Sequence, residues 1–154
     1  MRSMTWWTVG TGAVLALMGG CMTSALADTG AAPFSPKVKR AIENVLSCAN
    51  PGNFDAAEAE LTRNGWKRDG DVLQLAAPLT VFGLSTTKIG IARDGGEQFY
   101  RAYLPGVSLP QVVKAASLKL GKDKQGYGRV TKLGVLTAEV ENGETVLLCT
   151  VDTE

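Results

Sequence analysis

RVTKLGVLTAEVENGETVLLCTVD, residues Arg129 to Asp152, is the stretch that decides the fold. Two runs rich in Val, Leu and Thr flank Asn142-Gly143, a pair that accepts the left-handed backbone of a tight hairpin turn. The pattern predicts one strand from about Arg129 to Glu141 and another from Glu144 to Asp152, joined as a hairpin. The same grammar recurs upstream. Lys88 to Ala92 and Gln98 to Leu104 flank Asp94-Gly95-Gly96, and Trp66-Lys67-Arg68 and Val72-Leu73-Gln74-Leu75 flank Asp69-Gly70. Between them, Ala76 to Thr87 is apolar but interrupted by Pro78 and Gly83, which reads as an edge strand or a bulge.

Helical periodicity lies outside these hairpins. Ser35 suits an N-cap and Pro36 a first helical position, and Val38, Ala41, Ile42, Val45, Leu46 and Ala49 then form one apolar stripe, predicting a helix over about 36–49. Asn50-Pro51-Gly52 stops it. Asn53 can cap a second helix carrying Phe54, Ala57 and Leu61 on one face, with Asn64-Gly65 as its left-handed end, and the short connection makes the pair an αα-hairpin. A third helix is signalled by Ser108 and Gln111 at capping-box spacing, with Leu109, Val112, Val113, Ala116 and Leu120 on one face and Gly121 ending it. The order α-α-β-β-β-β-α-β-β has no regular βαβ alternation. It implies an α+β fold in which an N-terminal αα-hairpin and one further helix pack on an antiparallel sheet.

The first 27 residues stand apart. Arg2 precedes an apolar run from Trp6 to Met18, shorter than the roughly 20 residues a bilayer requires, and Ala25-Leu26-Ala27 has the small-x-small form cut by signal peptidase. We therefore expect a signal peptide over 1–27, a flexible leader over 28–35 and a single α+β domain over 36–154. A second processing route stays open, because Leu17-Met18-Gly19-Gly20-Cys21 resembles the lipobox of bacterial lipoproteins, with Met18 where that motif usually has Leu, Val or Ile. The resemblance implies cleavage after residue 20, lipidation of Cys21 and an outer-membrane lipoprotein. Without it the destination is the periplasm or the exterior. Cys48 and Cys149 remain in the domain, an even pair in an oxidising compartment, and a disulfide between them would close a loop of about 100 residues. On the hairpin reading Cys149 shares a strand face with Leu147 and Val151, which points it at the helical layer holding Cys48.

Composition limits the chemistry. The chain has no His, which removes Ser-His-Asp and Cys-His catalysis, and it has no Cys-x-x-Cys pair for redox work or zinc. Removing residues 1–27 takes away Arg2 alone among the charged side chains and leaves acids and bases in balance, so nothing calls for nucleic acid as partner. Neither Asp94-Gly95-Gly96 nor Gly126-Tyr127-Gly128 has a phosphate-loop or dinucleotide pattern, and no cofactor is expected. Asp55, Glu58 and Glu60 suit the N-terminal turns of the second helix, and Asp69, Asp71 and Asp94 suit hairpin turns.

The positive signals are two. Lys114, Lys119, Lys122, Lys124, Arg129 and Lys132, opposed by Asp123 and interleaved with Tyr127, form a basic stretch able to dock an anionic group. Tyr100 with Arg101, on a strand where Phe99 and Tyr103 share the other face, is a candidate exposed contact. The candidate binding surface is thus Lys122, Lys124, Tyr127, Arg129, Tyr100 and Arg101. The expected function is non-enzymatic binding of an envelope or extracellular protein, as an inhibitor or adaptor. The alternatives are a His-independent enzyme built on Asp69, Asp71 or Asp94, and a structural envelope protein held at a membrane only through lipidated Cys21. Element order resembles that of small exported inhibitors and envelope-assembly lipoproteins, but fold does not imply function.

Overall fold

Strand-forming runs separated by two-residue turns can satisfy their backbone groups only by pairing with one another, and the computed structural model shows the result. It describes residues 34–49, 56, 57, 59, 60, 67–122 and 126–152. These hold α1 (Pro36–Leu46), β1 (Lys67–Asp69), β2 (Val72–Val81), β3 (Leu84–Asp94), β4 (Glu97–Leu104), α2 (Leu109–Ala115), β5 (Lys119–Leu120), β6 (Tyr127–Val130), β7 (Val135–Glu141) and β8 (Glu144–Asp152). All eight strands form one antiparallel sheet in the order β1-β2-β3-β4-β8-β7-β6-β5, two meanders meeting where β4 pairs with β8. The signal segment with Cys21, the Asn53 cap and Asn64-Gly65 stop of the second helix, and Lys124 fall outside the described residues. Of the second helix, Ala56, Ala57, Ala59 and Glu60 are described and helical, with Ala57 buried in the core.

One face of the sheet carries the core. Leu73, Leu75, Leu79 and Val81 on β2, Ile89 and Ile91 on β3, Tyr100, Ala102 and Leu104 on β4, Leu136 and Ala138 on β7, and Leu147, Cys149 and Val151 on β8 meet Val38, Ile42, Val45 and Leu46 of α1 and Val112 of α2. Cys48 and Cys149 are bonded, with their Cα atoms 5.4 Å apart. That bond ties the end of α1 to the central strand β8.

The structure corrects four boundaries. First, α1 ends at Leu46, before Asn50-Pro51-Gly52, because Cys48 takes the left-handed conformation (φ 56°). Its N–H donates to Val45 C=O and that of Ala49 to Asn44 C=O, a Schellman closure with cysteine where glycine is usual. Second, α2 stops at Ala115 because Ser117 (φ 52°) closes it in the same way, the Leu118 N–H reaching Val113 C=O. Leu118 is thereby buried, and Leu120 leaves the helical face to become an exposed residue of β5. Third, the strand expected from Arg129 to Glu141 is two strands. Thr131 folds the chain back by donating its hydroxyl to Gly134 C=O and accepting the N–H groups of Leu133 and Gly134. Fourth, Ala76 to Thr87 contains a full hairpin, turned at Phe82-Gly83 with φ 52° and 78°.

Both readings of Pro78 have substance, since β2 shifts register between Gln74 and Leu79 and β1 covers only its first three residues. Beyond β1, the edge is partly closed by α1, where Glu43 Oε1 accepts the Thr80 N–H at 2.9 Å. No helix among the described residues is long and apolar enough to cross a membrane.

Candidate functional site

On β4, side chains alternate. Tyr100, Ala102 and Leu104 enter the core, so Phe99, Arg101 and Tyr103 lie on the face away from α1 and α2. Tyr100 is 5% exposed and its hydroxyl donates to the Gln98 side-chain carbonyl. The expectation of Tyr100 as an exposed contact beside Arg101 is therefore overturned. The two residues lie on opposite faces of the sheet, and the aromatic pair on Arg101's side is Phe99 and Tyr103.

That helix-free face is organised in cross-strand rows. Register places Ala92 opposite Phe99, Phe99 opposite Thr150, Thr150 opposite Val135, and Val135 opposite Val130. The row crosses five strands without a charged side chain, and Val135 and Val130 are 43% and 84% exposed. Beside it runs a second row of Gly90, Arg101, Leu148, Thr137 and Gly128. The Arg101 guanidinium lies 5.8 Å from the Phe99 ring centre, so a cation flanks the apolar row.

Next along β4, Tyr103 packs against two residues of β3, Lys88 and Gly90. Lys88, its register partner on β3, places Nζ 4.3 Å from the ring centre, and the same ammonium meets Glu144 Oε2 at 2.7 Å. Gly90 makes room for the ring, since a Cβ there would stand 3.3 Å from Tyr103 Cε2. Burial is the first cause that raises the Tyr103 phenol above its ordinary value; the Glu141 and Glu144 charges add to the rise, and Arg101 and Lys88 oppose it. The phenol is protonated at neutral pH and remains a donor.

The basic stretch is not one patch. Lys114 lies on α2, Lys119 on β5, Lys122 is exposed beyond β5, and Lys132 sits in the β6–β7 turn. Tyr127 opens β6 and lines a cleft of about 450 Å³ with Leu109, Pro110 and Val113. Arg129 turns toward the helix-bearing face, opposite fully buried Leu136, with its guanidinium 5.3 Å from the Phe82 ring centre. Lys122 and Tyr127 are thus near neighbours in the chain, while Arg129 and Arg101 serve different surfaces.

Asp69 and Asp71 bracket the β1–β2 turn and Asp94 ends β3, all three exposed and in two separate hairpins. Among the described residues no three of His, Cys, Asp and Glu gather closely enough to hold a metal ion. Sequence reasoning missed Lys88, Gly90 and Glu144. The signal for the first two was present, because a glycine inside a strand pattern marks a close approach by a neighbour. No family model, curated protein or solved structure matches the chain.

Proposed function

We propose that this chain is an exported, non-enzymatic binding module that docks on an envelope or extracellular protein through the helix-free face of its sheet. The observation that carries the reading is the uncharged, mostly apolar row Ala92, Phe99, Thr150, Val135 and Val130, bordered by Arg101. Single exposed apolar residues need no explanation, but a contiguous row with an aromatic and an arginine has the composition of an interface centre. The Cys48–Cys149 bond supports an oxidising compartment, periplasmic or extracellular. The described helices, α1 and α2, both pack on the opposite face, leaving this one for a partner.

The test is site-specific photocrosslinking in the envelope fraction, with the probe at Val135 and, as a control on the helix-bearing side, at exposed Lys37 of α1. One dominant adduct at Val135, lost when Val130→Glu is added, is the expected result. Recovery of the bait alone, an adduct that survives the charge, or turnover of an envelope substrate by the purified protein would sink the reading.

A further inference from the structure

We infer that a groove beside α2 binds an extended peptide segment that alternates apolar and acidic residues, taken up as an added strand on β5. Two adjoining hollows, of about 450 Å³ and about 750 Å³, form the groove and share Leu109 and Tyr127. Leu120 and Val140 line the larger one and are 50% and 58% exposed. Register puts Leu120 on the side of Tyr127 and buried Ala138, and Val140 alternates with Ala138 on β7, so both open side chains lie on the helix-bearing side. Apolar side chains left open along a concave surface mark a binding site more than scattered single ones do.

The edge of the sheet gives the second, independent observation. β5 is the last strand, with no neighbour beyond it. The Gly121 N–H donates to Gly126 C=O, so in the alternation of an antiparallel ladder Leu120, opposite Tyr127, directs its own N–H and C=O away from β6. At the other end of the sheet Glu43 closes part of the edge by accepting the Thr80 N–H, and among the described residues nothing does so for Leu120. Edges are ordinarily blunted by charge, as Lys119 does here, yet the residue beside it is apolar and half exposed, which leaves the edge fit to receive a strand.

Charge selects the chemistry of that strand. Lys114 and Lys119 line the smaller hollow, are exposed and form no ion pair among the described residues. No carboxylate stands among the described residues of that hollow, and Glu139 is the acid of the larger one. The dipole of α2 accounts for Lys114 in its last turn but not for Lys119 on β5. Because Lys119 and Leu120 are consecutive on β5, a strand laid beside them meets a cation and an apolar side chain in turn, and its own residues answer by alternating acid with hydrophobe.

A lipid headgroup could answer the lysines alone. A main chain also offers the donor and acceptor, at strand spacing, that the outward Leu120 groups require. The groove lies beside α2, away from the row of Phe99 and Val135, and does not depend on docking through the helix-free face.

The experiment titrates the ¹⁵N-labelled protein with a capped hexapeptide alternating valine and glutamate, and follows the amide resonances and their hydrogen exchange. The expected result is a saturable shift centred on Leu120 and Tyr127, slowed exchange of the Leu120 amide, and a dissociation constant of about 100 μM that rises about tenfold in Lys114→Glu/Lys119→Glu. The same peptide with lysine for glutamate, or with glycine for valine, binds about tenfold more weakly. Leu120→Pro, which removes an N–H that the sheet does not use, weakens binding while the remaining amide spectrum keeps its dispersion. Absence of a saturable shift, a shift centred elsewhere, an unprotected Leu120 amide in the saturated complex, affinity unchanged by the charge reversal, or tighter binding to vesicles of anionic phospholipid than to the peptide would each overturn the assignment.

Discussion

Tyr103 lays its ring over Gly90. A Cβ on that glycine would meet Tyr103 Cε2 at 3.3 Å and Arg101 Cβ at 3.2 Å. Arg101 Cβ is fixed by the β3–β4 ladder, and the ring is held by Lys88, so neither neighbour yields freely. Gly90→Ala is therefore expected to destabilise the protein by about 1 kcal/mol, although alanine alone favours a strand over glycine. In a Tyr103→Ala background the penalty should shrink. Equal penalties in both backgrounds, measured by urea unfolding, would show that the ring is not what crowds the site.

The phenol of Tyr103 gives a pH dependence with a definite sign. Its folded pKa lies above the ordinary 10.0, with burial as the leading cause. The neutral phenol is therefore favoured in the folded state, and its contribution is fully present below the unfolded pKa. That contribution falls as pH rises through the folded value, so stability should decline on the alkaline side of about pH 10. Absorbance at 295 nm should show phenol ionisation later than that of free tyrosine, and Tyr103→Phe should reduce its amplitude.

The disulfide closes a loop with a sequence separation of 101 residues. Its removal in Cys48→Ala/Cys149→Ala is expected to cost roughly 4–5 kcal/mol, most of it from the freed unfolded chain. Denaturant midpoints with and without reductant should differ for the wild type and coincide for the double variant.

Ser117 closes α2 from a left-handed position that glycine adopts without strain. Ser117→Gly is expected to stabilise by about 1 kcal/mol, since the Cβ penalty there exceeds the extra entropy of the unfolded glycine. A fall in melting temperature would mean that the Ser117 side chain holds contacts worth more than that strain.

Much of the fold was legible because hairpins are local. Asn142-Gly143 and Asp94-Gly95-Gly96 specify turns from adjacent residues, and alternation in Glu144 to Asp152 specifies which side chains enter the core, including Cys149. Helix starts were legible for the same reason: Ser35 accepts the Val38 N–H, and Gln111 accepts the Ser108 N–H. The endings were not. Cys48 leaves α1 where the bond to Cys149 requires it, and Ser117 leaves α2 so that Leu118 can reach the core, neither being a residue that signals a helix end by itself.

The same division holds for the surfaces. The amino-acid sequence alone determined that the chain carries no histidine, that its strands pair as hairpins, and that two cysteines remain beyond the N-terminal segment, because each is a matter of composition or of neighbours in the chain. Tertiary structure decided which face of β4 is buried, that Ala92, Phe99, Thr150, Val135 and Val130 share one row, and that Arg129 meets Phe82 rather than joining Lys122. Those outcomes depend on strand order and register across the whole sheet. On β4, which carries aromatic residues on both sides, local periodicity separates the two faces but not which of them the helices will cover.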